Sequence, residues 1–186
     1  MLRPVERGAK GCSECREGEL ISMGTSGTGT TPSFVLRDGR RSDYALAQRL
    51  YLETMKPLLA ELGAWEEQDI VARFKQAFDP AEVQIIQVDG VDTGYLQVSE
   101  SAEEVSLAQI HLAAPFRSRG IGTRLIRELM RDARAKGKSV SLAVVRNNPA
   151  FSLYWRLGFR VVGEDGTRLF MRWNGARGRS GAGLSR

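Results

Sequence analysis

Apolar and polar positions change period several times along this chain, and each change marks an element. Residues 32–39, PSFVLRDG, form a short strand that runs into a turn. From Tyr44 the apolar residues adopt helical spacing. Leu46, Leu50 and Tyr51 share one face of a helix predicted over Tyr44–Met55, with Ser42 or Asp43 as its cap. A second helical stretch, residues 56–78, carries Leu58, Leu59, Leu62, Ile70, Phe74 and Phe78, and Pro57 and Gly63 are expected to break it in two. Three strand-like runs follow, VQIIQV (83–88), TGYLQVSE (93–100) and VSLAQIHLA (105–113). The first two are joined by an Asp89-Gly90 turn that predicts a hairpin. After Pro115, Ile121, Leu125, Ile126, Leu129, Met130 and Ala133 recur at intervals of three and four, giving an amphipathic helix closed by Gly137. SVSLAVV (139–145) is a buried strand. NPAFSLYWRLG (148–158) is a short helix with Asn148 as cap, Pro149 in its first turn and Gly158 at its end. FRVVGEDGTRLFMRW (159–173) is a closing hairpin. Strand, two helices, three strands, helix, strand, helix and two strands make a mixed α/β (α+β) layered domain.

Composition sets the limits of that domain. The chain has 186 residues, of which 42% are apolar and 26% charged, enough for one sizeable core and close to the average soluble protein. Residues 1–31 hold the Gly/Ser/Thr run SMGTSGTGTT and no apolar periodicity, and residues 174–186 hold three arginines and no acid. Both are expected to be disordered tails around a folded domain at 32–173. No apolar stretch is long enough to span a bilayer and the first ten residues lead into no apolar run, so a cytoplasmic protein without membrane association is expected. Cys12 and Cys15 form a CxxC. Zinc requires four ligands and no second Cys/His pair exists, so no metal is expected and the two read as surface cysteines.

The segment PFRSRGIGTRLIREL (115–129) concentrates the candidate chemistry. It places Gly120 and Gly122 where a strand gives way to a helix, behind Arg117 and Arg119. A helix starting there presents unpaired N–H groups and the positive end of its dipole, and glycines remove the Cβ atoms that would hold a phosphate off. With Thr123 and two arginines beside it, the junction suits a pyrophosphate, though glycines also serve simply to shape a tight turn. It is not a Walker loop, because GxxxxGK[ST] is absent, and it is not the dinucleotide fingerprint, which would need glycine where Leu125 stands. From Arg117 to Lys138 eight basic residues face two acids, a net charge of +6, whereas the remainder of 32–173 sums to −4. That asymmetry suits an anionic ligand on one side of the domain, and it also fits a solvated helix face.

Arg117-x-x-Gly120-x-Gly122 resembles the pyrophosphate signature of the GCN5-related N-acetyltransferases, the GNAT superfamily. QIHLA ahead of it resembles that family's fourth strand, and NPAFSLYWRLGF resembles its N-x-A…Y-x-x-x-GF segment. The resemblance covers nearly all of 32–173. It implies a central mixed sheet of about seven strands flanked by about four helices. It also implies acetyl-CoA as co-substrate and direct transfer to a primary amine in a ternary complex. Under it, Arg117, Ser118, Arg119, Gly120, Ile121, Gly122 and Thr123 hold the pyrophosphate. Ile110 and Leu112 pair with the pantetheine arm where the fourth strand splays from its neighbour. The Leu112 N–H serves the developing oxyanion, Asn148 lies beside the pantetheine, and Tyr154 protonates the departing thiolate.

Candidates for the base are His111, the only histidine, and Glu100 or Glu104; a strand histidine is also an ordinary packing residue. The acceptor is expected to be a small-molecule amine or a protein N-terminus or lysine. Glu53, Glu61, Glu66, Glu67 and Asp69 on the first two helices would tolerate a cationic one. Homodimers are common in the family. The alternatives are a non-catalytic CoA-binding module or, given a pI of 9.6, a nucleic-acid-associated protein, although no nucleic-acid-binding motif is present.

Overall fold

The computed structural model describes residues 32–175; the two expected tails, apart from Asn174 and Gly175, and the Cys12/Cys15 pair lie outside them. Among the described residues there are seven strands and four α-helices. In chain order they are β1 (Val35–Asp38), α1 (Tyr44–Glu61), α2 (Glu67–Ala77), β2 (Val83–Val88), β3 (Val91–Glu100) and β4 (Glu104–Leu112). Then come α3 (Ile121–Ala135), β5 (Ser139–Val145), α4 (Ala150–Arg156), β6 (Arg160–Glu164) and β7 (Arg168–Trp173). The strands form one sheet in the order β1-β2-β3-β4-β5-β7-β6, and every neighbouring pair is antiparallel except β4 and β5. The mixed α/β expectation, with its strand and helix numbers, therefore matches the fold. No helix among the described residues is long and apolar enough to cross a membrane.

Each face of the sheet carries its own core. One is built from Ile86, Leu96, Leu107, Leu142, Val144 and Met171 against α3 and α4, through Ile121, Leu125, Ile126, Tyr154 and Phe159. The other packs Ile85, Tyr95 and Val145 against Leu50, Tyr51, Leu59, Ile70 and Phe74 of α1 and α2. Period-two alternation decides which side chain enters which core, so Ile85 and Ile86, both fully buried, serve opposite faces. The β2–β3 turn is tight: Asp89 and Gly90 both have positive φ, 53° and 77°, as a two-residue hairpin of this twist requires.

Two local expectations fail. Pro57 does not break the first helix. It sits exposed inside α1, which continues to Glu61. Only four residues follow the proline, and burial of Leu59 at 3% exposure offsets the one hydrogen bond its ring removes. Asp43 precedes α1 but does not cap it with its side chain. The Arg37 guanidinium takes that carboxylate at 2.8 and 2.9 Å, the Arg40 N–H donates to it at 2.8 Å, and Arg37 also pairs with Asp92. These contacts tie β1, the entry to α1 and the β2–β3 hairpin together.

Three irregularities interrupt the ladders. In β2–β3, Ile86 pairs with Gly94 but Gln87 pairs with Asp92, so Thr93 is an extra residue in β3. Gln97 pairs with Gln109 but Val98 pairs with Leu107, so Ala108 is an extra residue bulged out of β4. At the edge, the β6–β7 register shifts between Val161 and Gly163, leaving Val162 outside the ladder and 62% exposed. Beside the Thr93 bulge the sheet is unusually close. A Cβ at Gly94 would lie 2.5 Å from the His111 carbonyl oxygen and 2.8 Å from Leu112 Cδ2. Gly94→Ala is therefore expected to destabilise the fold by about 2 kcal/mol, through backbone displacement at β4; urea denaturation measures it.

Candidate active site

The site forms where β4 and β5 part. Their parallel pairing runs from Glu104–Ser139 to Leu107–Leu142 and stops there, at the Ala108 bulge. The Ala113 N–H donates to Thr93 O at 2.8 Å, which makes 93–113 a hydrogen-bonded pair. By alternation Gly94–Leu112 and Leu96–Ile110 are non-bonded pairs, so the N–H and C=O groups of Ile110 and Leu112 turn away from β3, toward the gap. Similarly, the Arg146 N–H donates to Thr167 O at 3.0 Å, which turns Ala143 toward β4, and past the last register pair, Leu107–Leu142, the Ala143 C=O faces the gap from β5. A cleft of about 100 Å³ results, lined by residues of both strands together with Tyr51, Met55, Asn148, Tyr154 and Arg168.

The loop after β4 turns sharply into α3. Ser118 and Gly120 take left-handed φ values of 57° and 83°, and the helix begins with Arg124 N–H donating to Gly120 O at 3.0 Å. The N–H groups of residues 118–123 find no acceptor among the described residues. A Cβ at Gly122 would meet nothing within 4 Å, so packing does not require that glycine and the space in front of it is open. Next to it lies a shallow depression of about 480 Å³ formed by Gly120, Thr123, Arg124, Arg127, Glu128 and Arg131. Six free N–H groups at a helix N-terminus, open space in front of them and three arginines alongside fit a pyrophosphate with further phosphate nearby. The Arg117 side chain does not join them. It donates from Nε to Leu112 O at 2.7 Å and from Nη2 to Thr54 Oγ1 at 3.2 Å, bracing β4 against α1.

The remaining sequence candidates separate. Tyr154 projects from α4 into the cleft lining, buried, and burial pushes its phenol up to about 12, so it stays protonated at neutral pH. The Asn148 Oδ1 accepts the Ala150 N–H at 2.9 Å, and this residue also lines the cleft. His111 is packed between Tyr95, stacked at 5.3 Å, and Tyr51, edge-on at 5.5 Å. Its Nε2 lies 2.8 Å from Gln109 Oε1, which accepts, so the ring is the neutral Nε2-protonated tautomer and Nδ1 is buried without a partner. Burial, helped by the Arg117 charge, pushes the imidazole down to about 4.

Glu100 and Glu104 lie at the other end of β3 and β4. Lys136 and Lys138 hold the Glu100 carboxyl down at about 2, and Glu104 pairs with Arg172 at 2.8 Å. The helix acids are not in the cleft either: Glu53, Glu67 and Asp69 pair with Arg49, Lys56 and Arg73. Arg168 was not singled out from the sequence, because which way a hairpin residue faces depends on strand register.

The family model for the acetyltransferase (GNAT) family matches residues 44–159. The chain belongs to that family. Solved structures agree on the GNAT fold. The PaiA N-acetyltransferase of Thermoplasma acidophilum, crystallised with coenzyme A, aligns with a TM-score of 0.62 and 21% identity over 76% of this chain and 99% of its own. The ribosomal-protein-S18-alanine N-acetyltransferase of Escherichia coli aligns at 0.56 and 16%, over 80% and 98%. Ard1 of Thermoplasma volcanium aligns at 0.54 and 18%, over 76% and 97%. A search of curated protein sequences finds no match.

The packed histidine of this GNAT domain makes stability depend on pH. Its folded pKa of about 4 lies below the ordinary 6.5, so the unfolded chain binds more protons between those values. Its contribution is complete above pH 6.5 and is lost as pH falls toward 4, on the order of 3 kcal/mol in all. His111→Gln is expected to flatten that part of the stability profile, measured by urea denaturation at a series of pH values.

Proposed function

We propose that residues 32–173 form an N-acetyltransferase that moves the acetyl group of acetyl-CoA directly onto a primary amine, without a covalent enzyme intermediate. The observation that carries this reading is the row of unpartnered N–H groups at residues 118–123, opening beside a split in the sheet whose rim offers the peptide groups of Ile110 and the N–H of Leu112. The coenzyme A bound to the Thermoplasma acidophilum PaiA protein, which shares the fold, supports it. When bound, acetyl-CoA supplies a thioester carbonyl already activated toward amines.

The chain's own residues do the rest. The backbone of Ser118–Thr123 takes the pyrophosphate, and Arg124, Arg127 and Arg131 balance further negative charge. Ile110 and Leu112 extend the pantetheine arm as an added strand, and Asn148, with Oδ1 engaged, keeps its amide N–H groups for the same arm. The Leu112 N–H donates to the carbonyl oxygen as it gains charge. Nitrogen–carbon bond formation is matched by carbon–sulfur cleavage, and the Tyr154 hydroxyl gives its proton to the leaving sulfur; the amine's surplus proton restores the phenol. Among the described residues no Asp or Glu lines the cleft, and His111 is held by Gln109 between two rings. We therefore assign His111 a packing role and have the amine enter as free base.

Calorimetry on the full chain tests this reading: acetyl-CoA should bind, and analogues lacking the pyrophosphate should bind far more weakly. No binding at millimolar ligand overturns it. Gly122→Glu should abolish binding while leaving the melting temperature unchanged, because its side chain enters open space. Tyr154→Phe should lower kcat by about a hundredfold with acetyl-CoA affinity intact. In the unmodified protein no loss of rate from phenol ionisation should appear below a pH of about 12.

A further inference from the structure

The cleft connects two unlike faces. Ile110, Leu112, Leu142, Val144 and Tyr154 belong to the core under α3 and α4, the side of the basic loop. By strand alternation Gln109, His111 and Val145 look the other way, toward α1 and α2, where Tyr51 and Met55 form the opposite wall. Arg168 is on this second face. It is the register partner of Val145, whereas Leu169 and Met171 turn to the first core. Among the described residues Arg168 is the one charged residue that lines the cleft. Among the described residues no carboxylate comes within salt-bridge distance of its guanidinium. The nearest acid along the chain, Asp165, spends Oδ1 on the N–H groups of Thr167 and Arg168 and on the Thr167 hydroxyl. Arg168 is half-buried, so an unpaired guanidinium there is partly stripped of water and is a ready partner for an anion.

We infer that the acceptor is a small amine bearing a carboxylate, which Arg168 binds on the face opposite the phosphate loop. This rests on the transferase reading. A planar guanidinium matches a carboxylate with two parallel hydrogen bonds, which orients the molecule as well as attracting it. The walls of Tyr51, Met55 and Val145 leave an apolar flank for the rest of the acceptor. This geometry replaces the cationic acceptor expected from the acids of α1 and α2, which lie outside the cleft, several of them in local ion pairs.

The test uses the full chain with acetyl-CoA and a panel of amino acids, each beside its carboxamide. Rates are compared per free-base amine because the amide's amine is the weaker base. The acid form should exceed its amide by tenfold or more in kcat/KM. Arg168→Gln should erase that ratio by raising KM for the acid while KM for acetyl-CoA stays put, and Arg168→Lys should restore part of it. Amides that serve as well as acids, or a ratio that survives Arg168→Gln, overturn the inference and leave the transferase reading standing. Suppose instead that no amine is acetylated but the CoA-loaded chain binds the acids, and Arg168→Gln abolishes that binding. The transferase reading then falls and the anion site stands. Neither transfer nor binding overturns both.

Discussion

Everything at the site follows from the loss of pairing between β4 and β5 beyond Leu107 and Leu142. Two parallel strands in the middle of a sheet ordinarily spend all their peptide groups on each other, and a buried peptide left without a partner is costly. The Ala108 bulge bends β4 out of register where the pairing stops, and the Ile110 peptide groups, the Leu112 N–H and the Ala143 carbonyl are left facing a gap. Two contacts hold the parted geometry: Gly94 allows β3 to approach β4 closely, and Arg117 ties the Leu112 carbonyl to Thr54 of α1. The protein thus keeps a row of unsatisfied hydrogen-bonding groups open at its centre, and an extended ligand is the natural partner for such a row.

The gap also divides the charge. On one side stand the α3 N-terminus and its arginines, where a strongly anionic tail can stay near solvent. On the other side the wall is aromatic and aliphatic, with the neutral His111 and one guanidinium. Burial lowers the pKa of His111 and raises that of Tyr154, so both are uncharged at neutral pH.

Much of this was legible in the sequence because it depends on local chemistry. The glycines of 120–122 sit before an amphipathic helix, and no tertiary contact is needed to infer free N–H groups there. The Asp89-Gly90 turn fixed the hairpin, and the Asn148–Phe159 segment announced Tyr154 through its resemblance. What escaped depends on register and packing. The Ala108 bulge leaves no mark in VSLAQIHLA, since an extra residue only flips which side chains face which core. Arg168 faces the cleft only because β7 pairs with β5 in one particular phase. Pro57 reads as a breaker, yet Met55 and Leu59, buried in one core on either side of it, carry α1 onward. Asp43 has the composition of a cap, but a distant guanidinium competes for it and wins.

The bulge at Val162 bears on a different matter, the fate of the sheet's outer edge. β6 is only five residues long, begins with Arg160, ends with Glu164, and exposes Val161 and Val162 to solvent. A long, flat apolar edge would recruit strands from other molecules, but here the ladder is broken in the middle of an already short run. A foreign strand could stay in phase over only two or three residues before its side chains met the wrong face. The edge limits its own growth, so this sheet can carry exposed valines on its last strand without inviting fibrils.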